Sequence, residues 1–134
     1  MLNTIILSID SKQLSALKNK KQKILIKSDF LTRLMPSKIY FYKGNKQDKI
    51  LGEFICNKVD VFFAMYDDHG SADLTPSKVI HGLGNADKES EFLDNCCFTH
   101  DELFDCITGK KCGYGLHVSR LKFYDKPKTR VEVE

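Results

Sequence analysis

The chain has 134 residues, of which 42% are hydrophobic and 29% are charged, and its formal net charge is +3. This length predicts one domain over residues 1–134 with a core of its own, and the balanced composition excludes a chain that is disordered throughout. No run of about 18 apolar residues occurs, which excludes a transmembrane helix, and we expect no membrane partner. The opening stretch lacks the basic region of a signal peptide, so we expect a cytoplasmic protein.

The first predicted elements are a strand and a short helix. Residues 3–9, NTIILSI, form an apolar run with β-branched residues, which is typical of a strand. Residues 10–18 predict a helix that either Asp10 or Ser11 can cap. Asn19 is expected to end this helix in the left-handed conformation.

Three β-prone segments follow the helix. The lysine-flanked run KQKILIK and the alternating run SKIYFYK each predict a strand, and the longer segment KILGEFICNKVDVFFAM is β-prone throughout. Gly52 inside the longest segment indicates a bend or a close backbone approach. These segments occupy residues 21–27, 37–43 and 49–65.

The middle of the chain predicts irregular structure and two helices. Residues 65–88 carry turn-forming residues, and we expect a lengthened loop there. Residues 88–95 predict a short helix. Thr99 and Glu102 then form the pattern of a capping box, and Gly109 is placed to end the helix that this box begins.

The last predicted strand spans residues 113–123, and its apolar alternation changes parity, which indicates a bulge or bend at Ser119–Arg120. Pro127 is expected to end it, and residues 128–134 are expected to be a tail or a final strand. With at least five strands and few helices, the sequence predicts an α+β class that is mostly β. We expect a small, partly open mixed barrel with peripheral helices.

Charge is distributed in blocks along the chain. Residues 12–49 hold eleven Lys/Arg against two Asp, residues 50–109 hold three Lys against twelve Asp/Glu, and residues 110–134 have a balance of +4. A face built from the two basic blocks would attract an anion such as nucleic acid. The alternative is a set of solvated lysines that offset the acidic block.

Cysteines and histidines give no metal-site pattern. The five cysteines, at residues 56, 96, 97, 106 and 112, are odd in number and form no CxxC pair, which indicates free thiols in a reducing compartment. The four histidines are scattered in the sequence. We therefore expect neither a metal ion nor another cofactor.

Four segments together resemble the ASCH domains of the PUA-like superfamily. ILSID followed by LKNKKQKILIK is similar to the family's opening strand, its helix and its sGxKxxExRk strand. KIYFYKGNKQDKILGEF is similar to its strand pair with a Gly-Glu-Phe segment, THDELFDCITGKK to its capped helix, and GYGLHVSRLKFYDKP to its aromatic closing strand. The resemblance covers nearly all the chain except about residues 65–88.

This resemblance implies a PUA-like β-barrel with a cleft fronted by the first helix and the basic strand. Members of the family are thought to bind RNA or modified nucleotides, and some branches hydrolyse an amide on acetylated cytidine or cleave RNA. The motif Lys matches Lys21 and the cleft Glu matches Glu53, so these two residues would be catalytic in an enzyme. The motif Glu and Arg are replaced by Ile24 and Ile26. Ile24 also occupies the hydroxyl position of the amidohydrolase branch, and isoleucine cannot act as a nucleophile.

Ten residues are candidates for ligand binding, and each type has a structural alternative. The lysines would contact phosphates or be solvated, the tyrosines would stack on bases or pack in the barrel, and the serine would donate to a ligand or cap a turn. The Lys21–Glu53 pair would position a polar ligand or be a cross-strand ion pair. The candidates are Ser8, Lys18, Lys20, Lys21, Lys27, Tyr42, Glu53, Lys110, Lys111 and Tyr114.

Three classes of function follow from the sequence. The favoured one is a regulatory module that binds RNA or a modified nucleotide in a basic cleft. The second is a hydrolase acting on nucleosides or RNA, either an amidohydrolase or a ribonuclease. The third is a regulator that binds a protein partner through the acidic segment at residues 60–105.

Overall fold

The computed structural model describes residues 3–28, 36–46, 48–67 and 77–133, which form eight strands and four helices. The strands are β1 (Asn3–Ile9), β2 (Ile24–Lys27), β3 (Ser37–Lys43), β4 (Ile50–Cys56), β5 (Val59–Asp67), β6 (Ser77–His81), β7 (Gly113–His117) and β8 (Ser119–Lys128). The helices are α1 (Ser11–Lys18), α2 (Ala86–Cys96), α3 (His100–Ile107) and α4 (Arg130–Val133). None of the described helices is long and apolar enough to cross a membrane.

The strands lie in two four-stranded sheets. The first sheet has the order β1-β3-β4-β8, and the second has the order β2-β7-β5-β6. Strands β1 and β3 run parallel, whereas the other paired strands are antiparallel. The α+β, mostly-β class is therefore confirmed. No pairing among the described residues joins the sheets into a closed barrel, so the barrel stays a prediction.

The two sheets share two neighbouring bends, where β4 passes into β5 and β7 passes into β8. Hydrogen bonds join the bends, since His117 N donates to Lys58 O at 3.0 Å and Ser119 Oγ donates to Ile55 O at 2.9 Å. Arg120 has a φ of 52°, and the pairing of β4 with β8 shifts register nearby. The bend predicted at Ser119–Arg120 is confirmed, and it is the kind of irregularity that lets a strand change sheets.

The second sheet is covered on both faces. One face packs with the first sheet and α1 around a core that includes Leu25, Phe41 and Leu116. The other face packs under α2 and α3 around a core that includes Phe62 and Phe92, whose ring centroids are 5.5 Å apart. The order of layers is therefore first sheet, second sheet, and the helix pair α2–α3.

Helix α1 begins and ends as predicted, but the left-handed residue that follows it comes one position later than predicted. Asp10 caps its first turn by accepting a hydrogen bond from Gln13 N. Asn19 has a φ of −84°, and Lys20 takes the left-handed conformation instead, with a φ of 60°. The N–H groups of Lys20 and Lys21 donate to carbonyl oxygens of the last helical turn, so the helix ends in a Schellman motif with a lysine in the usual glycine position.

The two predicted helices before the closing strand are present. Helix α2 covers the predicted residues 88–95 and extends beyond them at both ends. Helix α3 has the predicted capping box, in which Thr99 Oγ1 accepts from Glu102 N and the Glu102 carboxylate accepts from Thr99 N. Both helices pack their buried side chains against the second sheet, so their other faces point away from it.

Three expectations about the second half of the chain need correction. The segment at residues 65–88 is not one loop, because β5 extends to Asp67, β6 lies within the segment and α2 begins at its end, while residues 68–76 lie outside the described residues. Strand β8 continues through Pro127, which an edge strand tolerates because its outer edge needs no N–H donor. Residues 130–133 form the short helix α4 rather than a strand or an irregular tail.

Candidate functional site

His117 and Asp60 form a hydrogen-bonded pair at the end of the second sheet. Their strands, β7 and β5, are antiparallel neighbours, and Asp60 lies opposite Gly115, two residues before His117. His117 Nε2 lies 2.6 Å from Asp60 Oδ2, and the side chains are 34% and 25% exposed. A short contact between an imidazole and a carboxylate orients the ring and fixes which nitrogen carries its hydrogen.

Gly115, opposite Asp60, makes room for the floor of this site. A β-carbon on Gly115 would lie 2.8 Å from two carbons of the Phe92 ring and 3.1 Å from an Ile24 methyl carbon. Because the glycine has no side chain, Phe92 of α2 packs directly on the sheet beside the His117–Asp60 pair. The floor next to the polar pair is therefore apolar.

An open cleft of about 440 Å³ lies above this floor. One side is the end of the second sheet, one is helix α2, and one is the connection from β6 to α2. The residues that α2 contributes follow helical spacing, so they share one face. The lining residues are Ile24, Lys58, Asp60, Gly82, Leu83, Gly84, Lys88, Glu91, Phe92, Asn95 and His117.

The cleft carries both cations and anions around its apolar floor. Lys58 Nζ lies 3.9 Å from Asp60 Oδ1, and the Lys58 side chain is 68% exposed, so this ion pair holds Lys58 weakly. Lys88 comes from the first turn of α2 and Glu91 from the next turn. The two lysines can neutralise phosphate oxygens, while the histidine, the carboxylates and the Asn95 amide can hydrogen-bond a polar ring.

Metal binding finds no support in the described part of the chain, where no group of three or more His, Cys, Asp or Glu side chains is placed to hold an ion. The five cysteines, all within that part, have free thiols. The side chains of the cleft can form hydrogen bonds, neutralise charge and, at His117, transfer a proton.

Ile24, the residue at the motif's hydroxyl position, lines this cleft, whereas the ten predicted binding residues do not. The described part of the chain thus has a cleft beside β2 that the predicted binding residues do not line. The ten predicted residues fall into three separate places.

Four of the predicted residues are neighbours at the far end of β2 from the cleft. Lys27 Nζ donates to Ser8 O at 3.0 Å, joining β2 of the second sheet to β1 of the first. Lys27 lies opposite Tyr114 in the register of β2 with β7, and Ser8 lies opposite Tyr42 in the register of β1 with β3. The Lys27–Ser8 bond therefore connects β2, an edge strand of the second sheet, to β1, an edge strand of the first.

Lys110 lies four residues before Tyr114 of this group, in the connection from α3 to β7. Partial burial raises the pKa of the Cys106 thiol, and the positive charges of Lys110 and Lys27 act in the opposite direction. Lys111 follows Lys110 as an exposed residue. A basic face that joins the first basic block to the closing segment stays a prediction.

The remaining predicted lysines lie elsewhere. Lys18, Lys20 and Lys21 are exposed at the C-terminal end of α1, and Lys21 O accepts a hydrogen bond from Cys97 Sγ at 3.1 Å. Since the eight residues of α1 span about 12 Å, these lysines and Lys27 lie at opposite ends of the helix. A single basic face from Lys18 to Lys27 would have to extend over the length of α1, and it stays a prediction.

Glu53 lies on the outer face of the first sheet, and its predicted pairing with Lys21 is wrong. The Glu53 carboxylate lies 2.9 Å from Lys38 Nζ and accepts from Tyr124 Oη at 2.9 Å. Burial raises the pKa of the Glu53 carboxyl, but hydrogen bonds from Lys38 and Tyr124 outweigh it, so its pKa lies below the ordinary value. The hydrogen bond to Glu53 raises the pKa of Lys38. Lys21 lies in the turn after α1, where its carbonyl oxygen contacts Cys97 at the end of α2, so it is beside the second sheet and not the first.

Sequence reasoning missed the His117–Asp60 pair. His117 alternates out of phase with its apolar neighbours Leu116 and Val118, and Asp60 interrupts the apolar run of β5. Both signals mark polar positions on otherwise apolar strands. These signals do not predict that His117 and Asp60 meet, because the two residues are 57 positions apart and are brought together by the register of β5 with β7.

Neither a protein-family model nor a curated protein sequence matches the chain. The chain is similar in structure to a crystal structure of ASCH from Zymomonas mobilis, with a TM-score of 0.61 and 8% identity, over 96% of this chain and 74% of that chain. Crystal structures of two point mutants of that ASCH protein align with the same score and identity, over 76% and 75% of their chains. The chain therefore has an ASCH-like fold, as its sequence motifs indicated.

Proposed function

We propose that the protein binds RNA or a modified nucleotide, and that one nucleotide enters the cleft beside His117 and Asp60. The supporting observation is the composition of the cleft, in which an apolar floor is flanked by hydrogen-bonding groups and two lysines. Its volume of about 440 Å³ falls within the range of about 300–1,000 Å³ that small-molecule sites have. The ASCH-like fold is consistent with this proposal.

Each part of a nucleotide has a matching part of the cleft. A base is flat and apolar on its faces, which suits the floor of Ile24 and Phe92, and it is polar at its edge, which suits Asn95 and His117. The phosphate is an anion, which suits Lys88 and the exposed Lys58. The Lys88 side chain packs over Gly84, where a β-carbon would lie 2.9 Å from Lys88 Cδ.

Binding is favoured over inherited catalysis because of Ile24. The motif strand presents its isoleucine to the cleft, and a hydrocarbon side chain supplies neither a nucleophile nor a proton donor. A ligand held there keeps its covalent bonds unless another group acts on it. A regulatory module that recognises a nucleotide is the function that this arrangement supports best.

The test is fluorescence anisotropy with labelled single-stranded RNA at two salt concentrations. We expect wild-type affinity to fall as salt rises, with a slope of about −0.7 per phosphate contact. Lys88→Glu should weaken binding at least tenfold, because it replaces a cation of the cleft by an anion. Lys126→Glu makes the same charge change at an exposed position of β8, outside the cleft, and should change binding little.

The double variant Lys20→Glu, Lys21→Glu tests the basic patch at the end of α1 separately. If it abolishes binding while Lys88→Glu does not, the ligand site lies at that patch and the cleft proposal fails. If wild type binds no RNA and no nucleotide even at low salt, nucleotide binding fails altogether. The acidic segment at residues 60–105 and a protein partner would then be the function to test.

One observation favours a second candidate function, hydrolysis. His117, oriented by Asp60, can accept a proton from water while the water oxygen attacks an acyl carbon, and it can return that proton to the departing amine. Acetylated cytidine is the test substrate, with chromatographic detection of cytidine and acetate. The binding proposal predicts no turnover. Turnover that is lost in His117→Phe would establish the hydrolase instead.

A further inference from the structure

The His117–Asp60 contact determines where the hydrogen of a neutral imidazole lies. An ionised carboxylate has no hydrogen and only accepts. Because His117 Nε2 lies 2.6 Å from Asp60 Oδ2, the favoured tautomer carries its hydrogen on Nε2 and donates it to Asp60. Lys58 Nζ lies 3.9 Å from the other carboxylate oxygen, on the side of Asp60 that does not contact the ring.

The second ring nitrogen of His117 is then a hydrogen-bond acceptor. A neutral imidazole has one donor and one acceptor, so a hydrogen on Nε2 leaves Nδ1 with a lone pair. In the described part of the chain, the ring's hydrogen bond is the one to Asp60, and His117 lines the cleft. With Nε2 engaged by Asp60, Nδ1 is the ring nitrogen that remains for a ligand entering the cleft.

From this tautomer we infer that the cleft selects a nucleobase with an exocyclic amino group, such as cytosine or adenine, over uracil. The inference rests on the proposed nucleotide binding at the same site. An amino group can donate a hydrogen bond to Nδ1. Uracil has a carbonyl where cytosine has this amino group, and the lone pair of that carbonyl would face the lone pair of Nδ1. A mismatched polar pair that is removed from water is costly, so the two pyrimidines should differ clearly in affinity.

Asp60 acts in this recognition as a positioning residue. It does not need to touch the base, because its effect is to keep the hydrogen on Nε2 and the lone pair on Nδ1. An asparagine at residue 60 offers either an oxygen or an NH₂ group to Nε2 and no longer imposes one tautomer. Base preference should therefore depend on Asp60.

The test compares oligocytidine with oligouridine of equal length, since their backbone charges are identical and any difference comes from the base. We expect wild type to bind oligocytidine at least tenfold more tightly. His117→Phe keeps a ring but removes the acceptor, and it should bring the two affinities together. Asp60→Asn should reduce the ratio of the two affinities, while the loss of a negative charge beside Lys58 should strengthen the binding of both oligomers alike.

A direct observation of the tautomer accompanies the binding data. Long-range ¹H–¹⁵N NMR of the imidazole, assigned by the resonances missing in His117→Phe, should show a protonated Nε2 and an unprotonated Nδ1 in wild type. Asp60→Asn should move this pattern toward a mixture. This measurement does not need the variant to bind RNA, and circular dichroism checks that each variant is folded.

The outcomes separate this inference from the proposed function. Equal affinity of wild type for both oligomers, a preference for oligouridine, or a preference that His117→Phe retains would overturn base selection while leaving nucleotide binding in place. A tautomer protonated on Nδ1 would overturn it as well. If wild type binds neither oligomer at low salt, both the nucleotide-binding function and the selection fail.

Discussion

Gly115 and Phe92 are in contact at a distance that only a glycine permits. Strand β7 presents Gly115 to helix α2, and a β-carbon there would lie 2.8 Å from two carbons of the Phe92 ring. Phe92 in turn packs edge-on against Phe62, with ring centroids 5.5 Å apart. The position of α2 over the second sheet, and with it the width of the cleft, depends on this contact.

Gly115→Ala should therefore destabilise the protein by overpacking. We expect the free energy of unfolding to fall by about 1–3 kcal/mol, because Phe92 or α2 must move to admit the methyl group. Urea denaturation followed by circular dichroism measures this change. A variant as stable as wild type would contradict the tight packing.

Phe92→Leu provides the matched variant for this contact. It removes the ring carbons that an alanine at residue 115 would meet, so the double variant Gly115→Ala, Phe92→Leu should lose less stability than the two single losses added together. Additive losses would show that the clash is relieved elsewhere, and the proposed link between Gly115 and the cleft floor would be wrong.

Gln13 should be important for the stability of the edge strand β2. Its side chain accepts from Ile26 N at 2.8 Å and donates to Ile26 O at 3.1 Å, so α1 supplies β2 with the hydrogen bonds that a neighbouring strand would make. Gln13→Met fills a similar volume but leaves both backbone groups of Ile26 without this partner. We expect a loss of about 2–4 kcal/mol in urea unfolding, since an unpaired buried polar group costs about 1–3 kcal/mol.

Gln22→Met is the control for Gln13→Met. Gln22 is as buried as Gln13 and donates to Gln13 Oε1 at 2.8 Å and to Ile24 O at 2.7 Å. Its own Oε1 has no hydrogen-bond partner among the described residues, and the Gln13–Ile26 bonds survive its removal. The loss should therefore be smaller than for Gln13→Met. The reverse order would show that the Gln13–Ile26 bonds matter less than the structure indicates.

Glu53 should contribute stability that depends on pH. Despite the opposing effect of burial, hydrogen bonds from Lys38 and Tyr124 hold the pKa of the folded Glu53 carboxyl below its ordinary value. A group with a depressed folded pKa stabilises above its unfolded pKa, and this contribution is lost as pH falls through the folded pKa. Glu53→Gln should cost up to about 1 kcal/mol at pH 7, since the pair is partly exposed.

The difference in the free energy of unfolding between wild type and Glu53→Gln should shrink as pH is lowered below the ordinary glutamate pKa of about 4.3. Urea unfolding at pH 7, 5 and 3 measures it. Asp125→Asn, which removes a carboxylate from an exposed position of β8, is the control and should show a smaller effect at pH 7. A difference that is constant from pH 7 to pH 3 would rule out the ionised carboxylate as its source.

The adjacent cysteines at residues 96 and 97 should react at different rates. Cys96 is 1% exposed, and burial raises the pKa of its thiol to about 11, while Cys97 is exposed. Alkylation requires an accessible thiolate. Iodoacetamide at pH 8 should label Cys97 at least tenfold faster than Cys96, as resolved by tandem mass spectrometry. Denaturant should equalise the two rates, and similar rates in the folded protein would contradict the burial of Cys96.

The sequence by itself determined the local elements of this protein. Strands β1 and β3 begin and end where their apolar runs do, and α1 and α3 begin at the predicted caps. These features depend on interactions within a few residues, such as a side chain bonding to its own helix turn, so they can be recognised without the rest of the chain. The order of these elements was sufficient to indicate the ASCH-like fold.

Tertiary structure decided the site. Lys21 and Glu53 look like partners in the motif, but they belong to different sides of the molecule, and Lys38 on the neighbouring strand reaches Glu53 instead. Asp60 and His117 look unrelated in sequence and meet because β5 and β7 are paired. Strand register and the two bends between the sheets determine which side chains share a face, and a shift of one residue would turn each side chain away. Those constraints act between segments far apart in the chain, so only the folded molecule reveals them.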